Sequence, residues 1–196
     1  MREIAPGLHH WTAPHPNWTP DPEPESPADW PEAVGSVLFE GPGAVVFIDP
    51  QVPEALWPSL DELVAGRPVV VLTTMRFHGR SRDAVVERYG GATVRHDAPM
   101  PGGVEALPIA GFDETMYWLP EPRALVPGDR LIGDGDGGAR VCPSSWLGYI
   151  EPAVGVDELR VVLAPLRELP VEHVLLSHGA PVVGGGRAAL AHALAA

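Results

Sequence analysis

A chain of 196 residues is long enough to bury a sizeable core, and 45% hydrophobic with 20% charged residues is the balance of a globular protein rather than a disordered one. The formal net charge of −13 excludes a surface built to neutralise a nucleic-acid backbone. No apolar run approaches the roughly twenty residues of a membrane span, the N-terminal MREIAPGLHH lacks the apolar segment of a secretion signal, and the single cysteine, Cys142, cannot form an internal disulfide. We therefore expect one soluble, cytoplasmic domain over residues 1–196, with a small-molecule substrate or ligand and neither nucleic acid nor membrane as partner.

The chain opens on LHHWTA, an alternating strand pattern that places His9 and His10 on opposite faces. His15 to Pro31 is rich in proline and acidic residues and reads as an extended loop, since each X-Pro pair biases its first residue away from helix. That loop could overhang a pocket and line it with Trp18 and Trp30, although packing of the loop is the better account of both tryptophans. SVLFEGPGAVVFID follows, two apolar runs flanking Gly41-Pro42-Gly43, which is a hairpin signal ending at Asp49. In PEALWPSLDELVAG the residues Leu56, Leu60 and Leu63 recur at helical spacing, with Gly66 as the expected stop. PVVVLTT is a continuous β-branched run of the kind buried on both faces.

Arg82 to Tyr89 reads as a second helix closed by Gly90-Gly91, and short strands are expected at ATVR, GVEALPI, TMYWL and RALVPG. GDGDGGAR is too short for a calcium loop and reads as a hairpin turn. RVCPSSWLGYI lacks the G-x-S-x-G turn of an activated serine, so Cys142, Ser144 and Ser145 are read as part of a Pro-broken loop. The last third predicts a helix over Asp157 to Leu169 with Asp157 as N-cap, a strand HVLLS, and a helix over Arg187 to Ala195. Alternation of strands and helices without a repeat points to a layered α/β architecture, in which ligands bind beyond the carboxyl ends of strands.

Three strand ends carry polar residues: TTMRFHGRS after the buried run, LVPGDRL around Asp129, and LLSHGAP around His178. Singly, each is better explained as a turn former or a hydrogen-bonded structural histidine. Together with the early VVFIDP, the Gly128-Asp129 pair and the late Ser177-His178-Gly179, their order resembles the metallo-β-lactamase superfamily over nearly the whole chain. The resemblance implies a four-layer αββα sandwich, two mixed sheets face to face with helices outside. It also implies hydrolysis assisted by a divalent metal.

One loop departs from the pattern. That superfamily reads His-x-His-x-Asp-His there; with Thr74 in the place before the motif, Met75, Phe77, Gly79 and Arg80 stand where its four ligands would. Shifting by one residue puts His78 in the aspartate position, but then Thr74 and Arg76 replace the first two histidines. The ligand expected from GFDETMYWL has only Asp113 and Glu114 as candidates. Asp129 and His178 remain in positions that the resemblance makes ligands, and with His78 they could hold a single zinc, manganese or iron ion, or none.

Two functional readings stay open. In the first, most metal ligands are replaced and the chain is a hydrolase-like protein for a small ester, thioester, lactone or amide. His178 or His78 then acts as base, Asp129 orients or ligates, and Arg80 with Arg76 clamps an anionic substrate. In the second, the former active-site pocket is a non-catalytic module that binds a small anionic metabolite, with Arg80 supplying the charge.

Overall fold

The computed structural model describes residues 1–24, 26–148 and 154–195. Four strands form an antiparallel meander: β1 (Arg2–Ala5), β2 (Leu8–Pro14), β3 (Ala33–Gly41) and β4 (Ala44–Ile48). The Pro42-Gly43 turn joins the last two, with Gly43 at φ 88°. Helix α1 (Trp57–Val64) carries the chain to β5 (Val69–Leu72), and α2 (Arg82–Tyr89) carries it to β6 (Ala92–Thr93). Both crossovers make parallel pairs, as a helical connection requires, giving one six-stranded mixed sheet.

The second sheet has five strands in the order β13-β12-β9-β8-β7. These are β7 (Glu105–Pro108), β8 (Thr115–Leu119), β9 (Ala124–Val126), β12 (His173–Val174) and β13 (Val182–Val183). A separate hairpin, β10 (Leu131–Gly133) with β11 (Ala139–Val141), encloses the expected GDGDGG turn, where Asp134 Oδ1 accepts from the amides of Asp136 and Gly138. Helices α3 (Val156–Leu163) and α4 (Gly186–Ala193) complete the chain.

Strand alternation builds the layers. Along β3, Val37 and Phe39 meet Tyr117, Leu119 and Val126 of the other sheet, whereas Leu38 points the opposite way. In β4, Val46 and Ile48 face the same inner layer while Val45 and Phe47 pack under Leu60, Val64 and Val85 of α1 and α2. On the far side, Trp118, Leu125 and Val174 lie against Leu159, Leu163, Leu190 and Ala193 of α3 and α4. The order is helix, sheet, sheet, helix, as expected, and each fully buried aliphatic side chain contributes roughly 1.5–3 kcal/mol.

Three local readings change. The helix expected over Asp157 to Leu169 starts at Val156 with Gly155 as its N-cap, whose amide donates to Glu158 Oε2 at 2.9 Å; Asp157 instead pairs with Arg160 in the first turn. It stops at Leu163 because Pro165 offers no amide hydrogen, and the chain tightens into a 3₁₀ turn over Ala164–Glu168. The HVLLS strand holds its sheet only over His173–Val174. Beyond it the chain crosses toward the first sheet, where Gly35 N donates to Ser177 O at 2.8 Å and Val34 bridges to His178. That crossing requires glycine, since a Cβ at Gly35 would lie 2.1 Å from Leu176 O.

His9 and His10 do face opposite ways. His9 Nε2 sits 3.1 Å from Glu40 Oε1, whereas His10 is buried at 5% exposure with no hydrogen bond to Nε2. Burial lowers the His10 pKa to about 4. The unfolded chain therefore takes up a proton near pH 6.5 that the native chain refuses, and stability falls as pH drops from there toward 4, by about 3 kcal/mol at pH 4 from this residue. In His10→Gln, urea unfolding between pH 7 and 4 should show a pH slope shallower by close to one proton; an unchanged slope would remove His10 as a source of acid sensitivity.

Candidate metal centre

The floor of the site begins at the end of β4. Asp49 has a positive φ of 49° and is 1% exposed, a conformation and a burial that a carboxylate tolerates only when its oxygens are occupied. They are. Oδ1 accepts from Thr74 N at 2.8 Å, and Oδ2 accepts from Thr74 Oγ1 at 2.6 Å and from His78 Nδ1 at 2.8 Å. Burial pushes the Asp49 carboxyl up, but the imidazole of His78 and these donors hold it below its ordinary value.

An ionised carboxylate can only accept, so Nδ1 of His78 carries a hydrogen. Its other nitrogen, Nε2, faces Asp129 Oδ1 at 3.1 Å. Burial disfavours the imidazolium, yet the flanking carboxylates of Asp129 and Asp49 outweigh it and raise the pKa of His78 to about 9. The 3₁₀ turn over Arg76–Gly79 produces this placement by burying His78, at 4% exposure, while Arg76 and Phe77 turn outward.

Asp129 follows Gly128, whose φ of 61° and close approach to Thr74 Oγ1, 2.8 Å from where a Cβ would stand, leave room for no other residue. His178 arrives from the crossing segment, fixed by its carbonyl to Gly133 N at 2.9 Å, and its Nε2 lies 3.3 Å from Asp129 Oδ1. One ligand atom from each of His78, Asp129 and His178 lies within 4.8 Å of the others. Burial opposes ionisation of Asp129, but the two imidazoles hold its carboxyl well below the usual range.

The three residues line a cavity of about 380 Å³, with Trp30 and Trp146 set edge-on to the His178 ring at 5.7 and 5.1 Å. His15 stands edge-on to Trp30 at 5.1 Å, so the Pro-rich loop does overhang the site. Trp18 anchors that loop instead, donating from Nε1 to Trp30 O. Among the described residues, eight buried side-chain polar atoms make no hydrogen bond, and five belong to this cavity: Arg80 Nε, Asp129 Oδ1, Ser145 Oγ, Trp146 Nε1 and His178 Nδ1. Buried polar atoms are normally paired with protein or water, so these five are open to water or a ligand in the cavity.

The donor set fits a divalent cation. Asp129 Oδ1 lies close to two imidazole nitrogens without hydrogen-bond geometry to either, and Asp49 holds His78 from behind as outer carboxylates hold metal-binding histidines. Two imidazoles and a carboxylate suit zinc, manganese or iron, and all three residues line the cavity.

The two arginines expected to clamp a substrate do not converge. Arg80, with φ 37°, donates from Nη1 to Gly35 O at 2.7 Å and Asp49 O at 3.0 Å and lines the cavity. Arg76 stacks over Phe77 and lines a different cleft with Arg82 and Arg95, because the 3₁₀ turn points its side chain away. Glu114 is no substitute ligand: its carboxylate grips Arg130 through Nε at 2.7 Å and through Nη2, both residues being buried. Asp113 lines the other cleft. Burial raises the Cys142 thiol to about 11, which agrees with its reading as unreactive. Tyr149 and Ile150, the end of the RVCPSSWLGYI stretch, lie outside the described residues.

Sequence reasoning missed Trp146, Ser145 and the roles of Thr74 and Asp49. A signal existed for Thr74 and Asp49, since each ends a buried strand in a parallel pair, where side chains gather at ligand sites. None existed for Trp146.

The layers, the strand order and the placement of these residues are those of the metallo-β-lactamase fold, and the chain has that fold. It is similar to a metallo-β-lactamase family protein, TTHA1429 of Thermus thermophilus, with 16% identity, a TM-score of 0.56, and 96% of this chain matching 78% of that one. It is also similar to the metallo-β-lactamase IND-7, with 14% identity, a TM-score of 0.60, and 99% of this chain matching 96% of that one. A third similar structure, TTHA1623 in a di-iron-bound form, shares 21% identity with a TM-score of 0.57, matching 79% of this chain and 92% of its own. No protein-family model and no curated protein matches the sequence.

The Glu114–Arg130 pair supports the site from behind, since Arg130 Nη1 also donates to Trp146 O at 3.3 Å. Glu114→Ala leaves a guanidinium buried without its carboxylate, and a loss of about 3–5 kcal/mol is expected in urea unfolding. A loss under about 1 kcal/mol would mean that water or a neighbour takes over the charge.

Proposed function

We propose that this chain is a hydrolase-like protein whose centre holds one divalent metal ion on His78, Asp129 and His178 and acts on a small ester, thioester, lactone or amide. The observation that carries the reading is the convergence of these three ligand atoms within 4.8 Å at a cavity wall, Asp129 Oδ1 making no hydrogen bond. Three protein ligands with an open side is the arrangement of catalytic rather than structural metal sites. TTHA1623 carries two irons; this chain offers donors for one ion, with Arg80 beside them.

When bound, the ion supplies Lewis-acid activation of water and of the substrate's acyl oxygen. The residues supply the rest. Asp49 and Thr74 fix the His78 ring so that Nε2 and not Nδ1 faces the centre. Trp30 and Trp146 narrow the cavity around His178 and exclude bulk water, which strengthens charge interactions inside. Arg80, pinned by two backbone carbonyls, is a fixed positive charge that offsets negative charge developing on the substrate.

Arg80 also favours a second reading, a non-catalytic pocket for a small anionic metabolite. A guanidinium lining a cavity, with Nε buried and unpaired, suits a carboxylate or phosphate.

The two readings separate by experiment. Purified protein incubated with zinc, manganese or iron(II) and freed of excess should retain one equivalent of metal, and His78→Ala, Asp129→Ala and His178→Ala should each lose it. The loaded protein should then hydrolyse a panel of chromogenic esters, thioesters and lactones, with turnover falling at least a hundredfold in His178→Ala while its circular dichroism is unchanged. Absence of metal in every sample sinks the hydrolase reading, and anion binding lost in Arg80→Ala then supports the second.

A further inference from the structure

A second cleft, of about 320 Å³, opens at the carboxyl ends of the parallel strands β5 and β6, on the other side of the Thr74-Met75 wall from the candidate metal centre. Three arginines line it from three separate segments: Arg76 from the 3₁₀ turn, Arg82 from the start of α2, and Arg95 from the stretch after β6. His96 joins them, with Asp113 as the acidic residue of the lining. This is not a run of charge along one helix face. Topology gathers it, in a chain whose net charge of −13 makes any local excess of positive charge exceptional.

Arg82 and Arg95 have partners that an anion can replace. Arg82 Nε bonds Asp83, whose side chain is 86% exposed, and Arg95 Nε reaches Asp97 at 3.4 Å with both side chains exposed. Exposed pairs of this kind contribute little, about 0–1 kcal/mol, and each occupies one edge of a five-donor guanidinium. A dianionic phosphate oxygen set can draw charge-assisted bonds from the remaining donors. The position agrees with the general rule that ligands of parallel strands bind beyond their carboxyl ends.

We infer that this cleft is a binding site for the phosphate group of a small phosphorylated molecule, held by Arg76, Arg82 and Arg95. The cleft lies near the lower limit of small-ligand sites, which matches a compact phosphomonoester rather than a polymer. It is separate from the metal centre, although Met75 lines both cavities.

The test is isothermal titration of the full chain with inorganic phosphate and with pyrophosphate, at low ionic strength and in the presence of a chelator so that no metal takes part. Saturable binding of one equivalent is expected, weakened at least tenfold in the double variant Arg82→Ala/Arg95→Ala. Both side chains lie at the surface and bond only to near neighbours in sequence, so the variant should keep the wild-type circular dichroism and unfolding midpoint. The double variant leaves Arg80 and the metal-centre cavity untouched, so the loss it causes assigns the binding to this cleft. Absence of saturable binding by the wild type overturns the inference, as does an affinity that the double variant leaves unchanged.

Discussion

The buried carboxylate of Asp49 is the point on which the rest of the site depends. Burying it unpaired would cost several kcal/mol, so the fold can hold it only by bringing donors to it. It ends β4, and its oxygens reach across to the end of β5, to Thr74 N and Oγ1, and into the following turn at His78 Nδ1. Three consequences come from one side chain. The ends of two parallel strands are locked in register, the turn is folded inward, and the His78 tautomer is fixed. Its backbone carbonyl adds a further tie by accepting from Arg80, which also reaches Gly35.

The second constraint is the join between the sheets. Two packed sheets leave their strand ends apart unless some backbone passes between them, and here the segment after β12 does so. Gly35 permits the approach, and Ser177 O and Val34 make the contacts. His178 lies at that crossing, so its place is set by backbone hydrogen bonds rather than by a loop's own preferences. The candidate ligands thus come from a turn tied to the first sheet, a glycine-preceded turn after β9, and the crossing segment, each fixed by an independent interaction.

Much of this was legible in the sequence, and the reasons are specific. The order of strands and helices pointed only to a layered α/β architecture, and the four layers were implied by the resemblance that VVFIDP, Gly128-Asp129 and Ser177-His178-Gly179 carry, because continuous apolar runs such as AVVFI and TMYWL do not say which face meets which layer. Asp129 and His178 could be singled out only through the resemblance, since each alone reads as a turn former or a structural histidine. His78 could be named as a candidate but not placed, since whether a 3₁₀ turn buries it or Phe77 depends on the distant carboxylate of Asp49. Arg76 and Arg80 were expected to act together as cations of one loop, but the 3₁₀ turn sends them to different cavities. Trp146 and the Glu114–Arg130 pair join segments far apart in the chain with no periodic pattern to announce them.

Charge balance explains how such a site can exist around a loop with so few donors of the usual kind. Asp49 and Asp129 bring two negative charges below the protein surface, and Arg80 returns one positive charge that cannot be lost. A protonated His78 between the two carboxylates supplies the other, which is why its pKa stands near 9 against the opposition of burial. Arg80 and a protonated His78 together match the two carboxylates in charge. If His78, Asp129 and His178 held a divalent ion, Nε2 of His78 would give up its proton to ligate it, and the cavity lined by Trp30 and Trp146 would carry an excess of one positive charge. On the proposed reading that excess is what draws the electron-rich oxygen of an acyl substrate toward His178, and the surrounding apolar rings raise its effect by excluding water.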